Sequence, residues 1–497
     1  MKTALIVSTT ALLAGTSAMA QGGHVTFTEH VGISANWEMY SDDSYIASRA
    51  GCYEGLTRVS HDVTVEPWLA TGWERIDPTT WEFQIREGVR FQDGSSLDAA
   101  AVANALTELL NAAVPARAFS PAVVSSVEAT GPMTVAITTV EPIVTLPGRL
   151  AAPAAAILSP AAYGGRGVNP VGACTGPFEI TEYDARQSVT LKRFDDYWGG
   201  DVQLASAQVR FIPDANTRSA MVRTGEVQIA LRVPTEAVAQ ISAAPGADVI
   251  EASAPRITEL LLNNGRAPFD NVLVRQAVKL AIDTAAISVA VYDGASPPAG
   301  GPFRAGEPWH SPNAPAVQRD LDKARALLAE AGVDPASLHL QILGIPTRTE
   351  QRDIAQIIQA MLSEIGIHVS IRIAEYTSIE PDMLSGNYDM ALMSRGYLTD
   401  VPEPIGMLSA DYSCAGTYNI SQYCDPDFDL MLQAAAAEED PDARYRAYGE
   451  LAQYIYDQAI TVFLVNETVF DAASSRVTGY RPHPQNYYVL SAEVSIE

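Results

Sequence analysis

The segment 338–373 constrains the fold more than any other part of the chain. Apolar and polar residues alternate over 338–342, which is typical of a strand with one buried face. A helical pattern follows, and its apolar face comprises Ile354, Ile357, Ile358, Met361, Leu362 and Ile365. Gly366 then stands where a helix usually ends, and alternation resumes over 367–373. This order predicts a βαβ unit, and therefore an α/β fold whose mostly parallel sheet is covered by helices.

Charged and aromatic residues follow two of the predicted strands. Arg348 comes just after the first strand, and Arg395, Tyr397 and Asp400 come after a second apolar segment, YDMALM. Ligands of open α/β sheets bind at the carboxyl ends of the strands. A guanidinium and a carboxylate at one sheet edge suit a zwitterion, because each buried charge needs an opposite partner. The alternative is that Asp400 caps a turn and Arg348 is solvated.

Two helix starts are also predicted from local patterns. Ser95 opens a serine-x-x-acid sequence ahead of AAAVANALTELL, which is a common beginning of a helix. Asp440 followed by Pro441 is a favoured pair for the cap and the first turn of another helix.

The first twenty residues predict export. They combine a lysine, an apolar stretch and the small-residue ending Ala18-Met19-Ala20, so residues 1–20 are interpreted as a signal peptide. The first cysteine is Cys52, so we expect no lipid anchor, and no later run reaches the ~18 apolar residues of a membrane helix. The formal charge of −27 argues against a nucleic-acid partner. The chain is expected to be a soluble periplasmic protein.

The four cysteines of an exported chain predict disulfides. Cys414 and Cys424 close a short loop and are expected to pair, which leaves Cys52 and Cys174 for a second bond, although the sequence permits three connectivities. A thiolate metal site would need CxxC-like spacing, which is absent from the sequence.

The sequence contains no recognisable catalytic or cofactor motif. The seven histidines form no HExxH or HxH pair, and neither a G-x-S-x-G elbow nor a phosphate-binding glycine loop occurs. We therefore expect a protein that is not an enzyme, with no cofactor and no bound metal. A secreted hydrolase stays open as an alternative of a different class.

Several segments, in order along nearly the whole mature chain, resemble the extracytoplasmic solute-binding proteins of the peptide/nickel class (family 5), which serve ABC importers. They are YEGLTR (53–58), VEPWLATGW (65–73), WEFQIREGVRFQDG (81–94), TGPF (175–178), YWG (197–199), NNGRAPFD (263–270), VRQA (274–277), AID (281–283) and DLDKARALLAEAGV (320–333).

The resemblance implies a two-lobed periplasmic binding protein fold of the hinge-closing, type II-like kind, with an extra subdomain on lobe I. Carried over to this chain, lobe I comprises residues 21–255, with the inserted subdomain at about 40–165. Lobe II comprises 256–472, and residues 473–497 return to lobe I. The ligand is expected between the lobes, and the expected partners are an inner-membrane permease and its cytoplasmic ATPases. The binding protein itself is expected to be a monomer.

Within this class, residues 395–424 look most like the dipeptide-binding proteins. The resemblance implies that Asp400 holds the α-ammonium of a small peptide or peptide-like zwitterion and that Arg348 holds its carboxylate, with Arg395 and Tyr397 as further ligand-binding candidates. Tyr397 replaces the tryptophan usual in those relatives, which changes the expected cavity wall. The alternatives within the class are a nickel or metal-chelate binder and an oligosaccharide binder.

Overall fold

The structure, a computed structural model, describes residues 22–164, 167–346, 348, 350–399 and 401–497. The predicted signal peptide at 1–20 lies outside the described residues. Within the described part of the chain, no helix is both long enough and apolar enough to cross a membrane.

Eighteen strands occur in the described residues. They are β1 (His24–Glu29), β2 (Thr57–Val59), β3 (Val65–Pro67), β4 (Ala70–Arg75), β5 (Thr80–Ile85), β6 (Val124–Gly131), β7 (Thr134–Thr139), β8 (Phe178–Asp184), β9 (Ser188–Arg193), β10 (Ser206–Phe211), β11 (Ile229–Val233), β12 (Ala247–Leu262), β13 (His339–Gly344), β14 (His368–Ile373), β15 (Met390–Gly396), β16 (Thr461–Ser474), β17 (Val477–Thr478) and β18 (Ser495–Ile496).

Thirteen α-helices occur in the same described residues. They are α1 (Asp42–Arg49), α2 (Ala99–Leu110), α3 (Leu146–Arg149), α4 (Ala215–Thr224), α5 (Val238–Ser242), α6 (Val272–Ala281), α7 (Thr284–Tyr292), α8 (Leu321–Glu330), α9 (Glu350–Ser363), α10 (Tyr376–Leu384), α11 (Ile405–Tyr412), α12 (Pro426–Ala437) and α13 (Pro441–Asp457).

Ten of the strands form one sheet in the order β14-β13-β15-β12-β16-β11-β1-β10-β9-β8. The long strands β12 and β16 pair antiparallel at its centre and belong to both halves of the sheet. Their register shifts between Ser253 and Ile257, so the pairing changes where the chain passes from one half to the other. The predicted boundary at residue 255 falls in this interval.

Two lobes lie on either side of that passage. The N-terminal lobe contains β1 and β8 to β11, and its core also takes in the four-stranded sheet β4-β5-β7-β6 and the end of the chain near Leu490 and Val494. The C-terminal lobe contains β13 to β15, covered by a core cluster that includes residues of α6, α8 and α9. A separate cluster under α11 to α13 completes this lobe.

The predicted βαβ unit is confirmed. Strand β13, helix α9 and strand β14 follow one another, and β13 and β14 pair in parallel from His339 with His368 to Gly344 with Ile373. Gly366 lies just beyond α9 with a φ of +89°, a left-handed conformation that glycine adopts without a steric penalty.

One of the two predicted helix starts is confirmed and the other is wrong. The Asp440 side chain accepts a hydrogen bond from the backbone N–H of Ala443 and so caps α13. Helix α2 is capped by Asp98, whose carboxylate accepts from the N–H of Ala101 at 2.8 Å, and Ser95 does not cap it. Asp93 accepts hydrogen bonds from the backbone N–H and the hydroxyl of Ser95, which makes Ser95 part of the preceding turn.

Both predicted disulfides are present. Cys52 bonds to Cys174 and Cys414 bonds to Cys424, with sequence separations of 122 and 10 residues. The first bond links the start of the N-terminal lobe to the segment that enters β8. The second closes the short loop between α11 and α12, so the expected connectivity is confirmed among the three that the sequence permits.

Candidate functional site

The carboxyl ends of β13 and β15 lie together at one edge of the sheet, because the two strands pair in parallel. A cavity between the lobes opens beside the end of β15. Its lining residues in the N-terminal lobe and at the passage are Tyr45, Arg232, Ala254, Pro255, Arg256, Pro484, Gln485, Asn486 and Tyr487. The C-terminal lobe contributes Gly396, Leu398 and Thr399. The site therefore has walls from both lobes, as a hinge-closing protein requires.

The contacts between the lobes include one at this cavity and two away from it. Gln485 donates a hydrogen bond from Nε2 to the carbonyl oxygen of Leu398 at 2.5 Å. Arg75 Nη1 lies 2.6 Å from the carboxylate of Glu439. Gly148 packs so closely on Pro402 that a Cβ atom at residue 148 would lie 2.7 Å from two atoms of the proline ring. The lobes touch in this conformation.

Arg348 lies between β13 and α9, at the strand end where it was predicted. Its Nη1 is 3.6 Å from a carboxylate oxygen of Glu350 and 3.6 Å from one of Glu467, and the side chain remains 26% exposed. Burial acts to lower its pKa, but the charges of Glu467 and Glu350 prevail and raise it. The guanidinium is therefore charged, and its ion pairs are too long to use its five N–H donors fully.

Glu467, on β16, interacts electrostatically with both Arg348 and Arg256. Its Oε1 accepts hydrogen bonds from Thr258 Oγ1 at 2.9 Å and from the hydroxyl of Ser394. Burial acts to raise the pKa of this carboxyl, but the guanidiniums of Arg348 and Arg256 outweigh it and hold the pKa below its usual value. Glu467 is thus a buried anion whose charge favours the cationic forms of Arg348 and Arg256, and of these two arginines Arg256 lines the cavity.

Arg256 lies on β12 where that strand passes between the lobes. Its Nη1 donates to the carbonyl oxygen of Ser394 at 2.8 Å and to the Ser394 hydroxyl at 3.1 Å. Burial lowers its pKa to about 9, with Arg348 among the charges that add to this effect. The residue stays a cation at neutral pH and lines the cavity.

Arg395 has its charge satisfied within the protein. Its Nε and Nη2 bind the two carboxylate oxygens of Asp411 at 2.6 and 2.7 Å, which is a bidentate pair. Its guanidinium also lies 4.9 Å from the centre of the Tyr418 ring. A direct contact of Arg395 with a ligand stays a prediction, and in this conformation its partner is Asp411.

Tyr397 is fully buried in the core under α11 to α13. Its hydroxyl donates to Glu307 at 2.7 Å, and its ring meets Phe303 edge-on at a centroid distance of 5.3 Å. The residue lies behind the cavity wall formed by Leu398 and Thr399, and ligand contact by Tyr397 stays a prediction. Asp400, the predicted ammonium-binding residue, lies outside the described residues.

Sequence reasoning missed Glu467, Arg256 and Arg232. They lie on β16, β12 and β11, respectively, and the sequence did not indicate that these strands contribute to a site. A signal for Glu467 was present, since it is the one acidic residue in the strongly apolar segment TVFLVNETVF. A lone charge in a buried strand needs a partner, and that requirement predicts a nearby cation.

No group of three or more His, Cys, Asp or Glu side chains is arranged to hold a metal ion in the part of the chain that the structure describes. Two arginines, Arg232 and Arg256, line the cavity instead. The two lobes and the charged cavity between them define a solute-binding protein that encloses its ligand.

Comparisons with known proteins agree. Residues 64–419 match the family model for "Bacterial extracellular solute-binding proteins, family 5 Middle". The chain belongs to this family, and it is the substrate-binding protein of an ABC importer. The predicted family and the two-lobed α/β fold are thereby confirmed.

Three relatives illustrate the range of the family. The glutathione-binding protein GsiB of Salmonella paratyphi A is 30% identical over 454 residues, which covers 86% of each chain. The dipeptide-binding protein of Escherichia coli K12 is 27% identical over 493 residues, with 92% of this chain and 91% of the relative covered. The crystal structure of a nickel ABC transporter protein from Bacillus halodurans superposes with a TM-score of 0.80 at 28% identity, covering 95% of this chain and 100% of the other.

Proposed function

We propose that the protein captures a small peptide or a peptide-like zwitterion in the periplasm and delivers it to an ABC permease with cytoplasmic ATPases. The observation that carries the proposal is the state of Arg348. It is a charged, partly exposed guanidinium at the carboxyl end of β13 whose ion pairs, at 3.6 Å, are much longer than those of Arg395 with Asp411. A ligand carboxylate supplies the short, charge-assisted hydrogen bonds that Arg348 lacks.

Asp400 is the proposed partner of the ligand ammonium. It follows β15 directly after Leu398 and Thr399, which line the cavity. Tyr397 is proposed to act from behind that wall, where its bond to Glu307 fixes the turn. Two of the relatives are named for glutathione and for dipeptides, and both of these ligands carry an ammonium and a carboxylate.

The proposal includes the arrangement of the chain. Residues 1–20 are removed as a signal peptide, residues 21–255 and 473–497 form lobe I, and residues 256–472 form lobe II. The protein acts as a monomer whose lobes close on the ligand, since a ligand that contacts both lobes favours the closed state. The four-stranded sheet belongs to the inserted subdomain at about 40–165.

A thermal-shift panel on ligand-stripped protein tests the proposal. The panel contains di- and tripeptides, glutathione, amino-acid conjugates, oligosaccharides, and nickel with and without chelators. A ligand at a hundred times its dissociation constant stabilises the folded state by about 2.7 kcal/mol, which gives a measurable shift. We expect a shift with short peptides or conjugates. A shift only with nickel chelates or only with sugars would replace the zwitterion with that ligand class.

Matched substitutions then test the two anchors. Arg348→Gln is expected to weaken the binding of a shifting peptide at least tenfold, whereas Arg352→Gln, which changes an exposed arginine in the first turn of α9, alters it by less than twofold. Asp400→Asn is compared in the same way with Asp353→Asn on the exposed side of α9. Equal affinities for Arg348→Gln and Arg352→Gln contradict the role given to Arg348, and equal affinities for the aspartate pair contradict that of Asp400. Calorimetric titration measures all four.

A further inference from the structure

Arg232 lies on β11 and lines the cavity from the side of the N-terminal lobe. Its backbone has a φ of +51°, a left-handed conformation that side chains other than glycine rarely adopt. The conformation is held on both sides, because the N–H of Arg232 donates to Asp471 at 2.8 Å and its carbonyl accepts from Arg218 at 2.9 Å. The position of the side chain over the cavity is therefore built into the strand.

The guanidinium of Arg232, a half-buried residue, lacks the partners that Arg218 and Arg444 have. Its Nε is buried without a hydrogen-bond partner, and no carboxylate of the described residues lies within ion-pair distance of it. By contrast, Arg444 binds both carboxylate oxygens of Glu403 at 2.8 Å, and Arg218 donates to four carbonyl groups. A cation that is largely removed from water without an opposite charge is destabilising.

The surroundings of Arg232 make this state more costly. Burial lowers its pKa, and the charge of Arg348 lowers it further; Glu467 opposes this effect, while Arg49 adds to the lowering and Asp471 opposes it. Glu467 is already bound to other groups, and Asp471 is held by the Tyr480 hydroxyl and by the Arg232 backbone. An anion that enters the cavity would relieve this imbalance.

We propose that Arg232 binds a second carboxylate of the ligand, so that the preferred peptides carry an acidic group in addition to the terminal carboxylate. This inference rests on the proposed function, in which Arg348 takes the terminal carboxylate. Arg232 belongs to the opposite lobe, so an acidic ligand is held by cations from both lobes. The second carboxylate then contributes to lobe closure as well as to affinity.

Pairs of peptides that differ only in charge test this inference. They are Ala-Glu with Ala-Gln, Glu-Ala with Gln-Ala, and Ala-Asp with Ala-Asn, titrated by calorimetry into ligand-stripped protein. At least one acidic peptide is expected to bind tenfold or more tightly than its amide counterpart. In Arg232→Gln this preference is expected to fall to within twofold, while the affinity for the amide peptide changes by less than threefold.

Two further variants keep the result interpretable. Arg232→Gly suits the left-handed backbone and removes the unpaired cation, so it is expected to fold at least as stably as the wild type and to lose the same preference. Arg223→Gln, an exposed arginine on α4 in the same lobe, removes one charge outside the cavity and is expected to keep the preference.

The possible outcomes separate the inference from the proposed function. Wild-type binding of peptides without any acidic preference overturns the inference and leaves the proposed function standing. Equal loss of affinity for acidic and amide peptides in both Arg232 variants also overturns it, because Arg232 then serves the terminal carboxylate or the fold. A protein that binds no peptide at all overturns the proposed function and the inference with it.

Discussion

Two arginines with similar positions in the sequence, Arg348 and Arg395, differ in how fully their charges are paired within the protein. Arg395 is neutralised by a bidentate pair with Asp411, whereas Arg348 shares two carboxylates at longer distances. Arg348 follows β13, whereas Arg395 was expected beyond a strand and lies near the end of β15 itself; both are at the same sheet edge, so their positions alone do not distinguish them. The number and distance of opposite charges decide which guanidinium is free to bind a ligand.

Glu259 is the residue whose ionisation should make stability depend on pH. It is 3% exposed on β12, and its Oε2 has no hydrogen-bond partner. Burial first, and then the charge of Asp411, raise its pKa to about 8, although Arg395 opposes them. The folded protein therefore keeps a proton that the unfolded chain, with the ordinary pKa of 4.5, releases. Stability is lost as pH rises between these two values.

Glu259→Gln should remove this dependence. Relative to the wild type, we expect the free energy of unfolding of the variant to rise by up to about 1.4 kcal/mol per pH unit between pH 5 and 8, and to level off above. Denaturant unfolding at several pH values measures the difference. Glu330→Gln, an exposed residue at the end of α8, serves as the control and should run parallel to the wild type. A pH-independent difference for Glu259→Gln would mean that Glu259 is ionised throughout this range.

At the scale of elements, the short disulfide loop matters because two parts of the C-terminal lobe bind to it. Tyr388 donates from its hydroxyl to the carbonyl of Ile420 at 2.7 Å, and the N–H of Asn264 donates to the carbonyl of Ser421 at 2.8 Å. Both carbonyls lie within the loop closed by Cys414 and Cys424. The loop therefore supports the ends of β12 and β15 from outside.

Replacing both cysteines of this loop with serine is expected to lower the free energy of unfolding by about 2–3 kcal/mol. Opening a loop of this size restores conformational freedom to the unfolded chain by roughly that amount. Urea denaturation of oxidised protein, in which the Cys52–Cys174 bond stays intact in both wild type and variant, measures the change. A loss below about 0.5 kcal/mol would show that the hydrogen bonds to Ile420 and Ser421 hold the loop without the disulfide.

At the scale of the whole molecule, Gly148 and Pro402 form a close contact between the lobes. A Cβ at residue 148 would lie 2.7 Å from the proline ring, closer than such atoms normally come. Each lobe has its own core, so an obstacle at this contact acts on closure and leaves the lobes folded.

Gly148→Ala is therefore expected to shift the protein towards the open state. We expect peptide affinity to fall about three- to tenfold, which is about 0.7–1.4 kcal/mol, with little change in the melting temperature of the ligand-free protein. Small-angle scattering with saturating ligand should show a larger radius of gyration than in the wild type. Gly72→Ala on β4 is the control, because a Cβ there meets no atom within 4 Å. If both variants bind alike, the Gly148 contact does not limit closure.

The sequence by itself determined the features that depend on residues close together in the chain. The alternating strands around α9, the cap at Asp440, the short disulfide loop and the placement of Arg348 at a strand end all follow from local periodicity and spacing. The helix start predicted at Ser95 was wrong. Both Ser95 and Asp98 have side-chain oxygens that can cap a helix, and in the structure Asp98 caps α2.

Only the tertiary structure decided which polar and charged groups from distant parts of the chain contact one another. Arg348 lies beside Glu467, Tyr397 bonds to Glu307 and Gln485 reaches Leu398 across the lobes, and none of these pairs is close in sequence. Sheet order brings such residues together, and no periodic pattern records which of several arginines receives a carboxylate. The unpaired state of Arg232 arises in the same way, since its backbone and its neighbours are fixed by strands from distant parts of the chain.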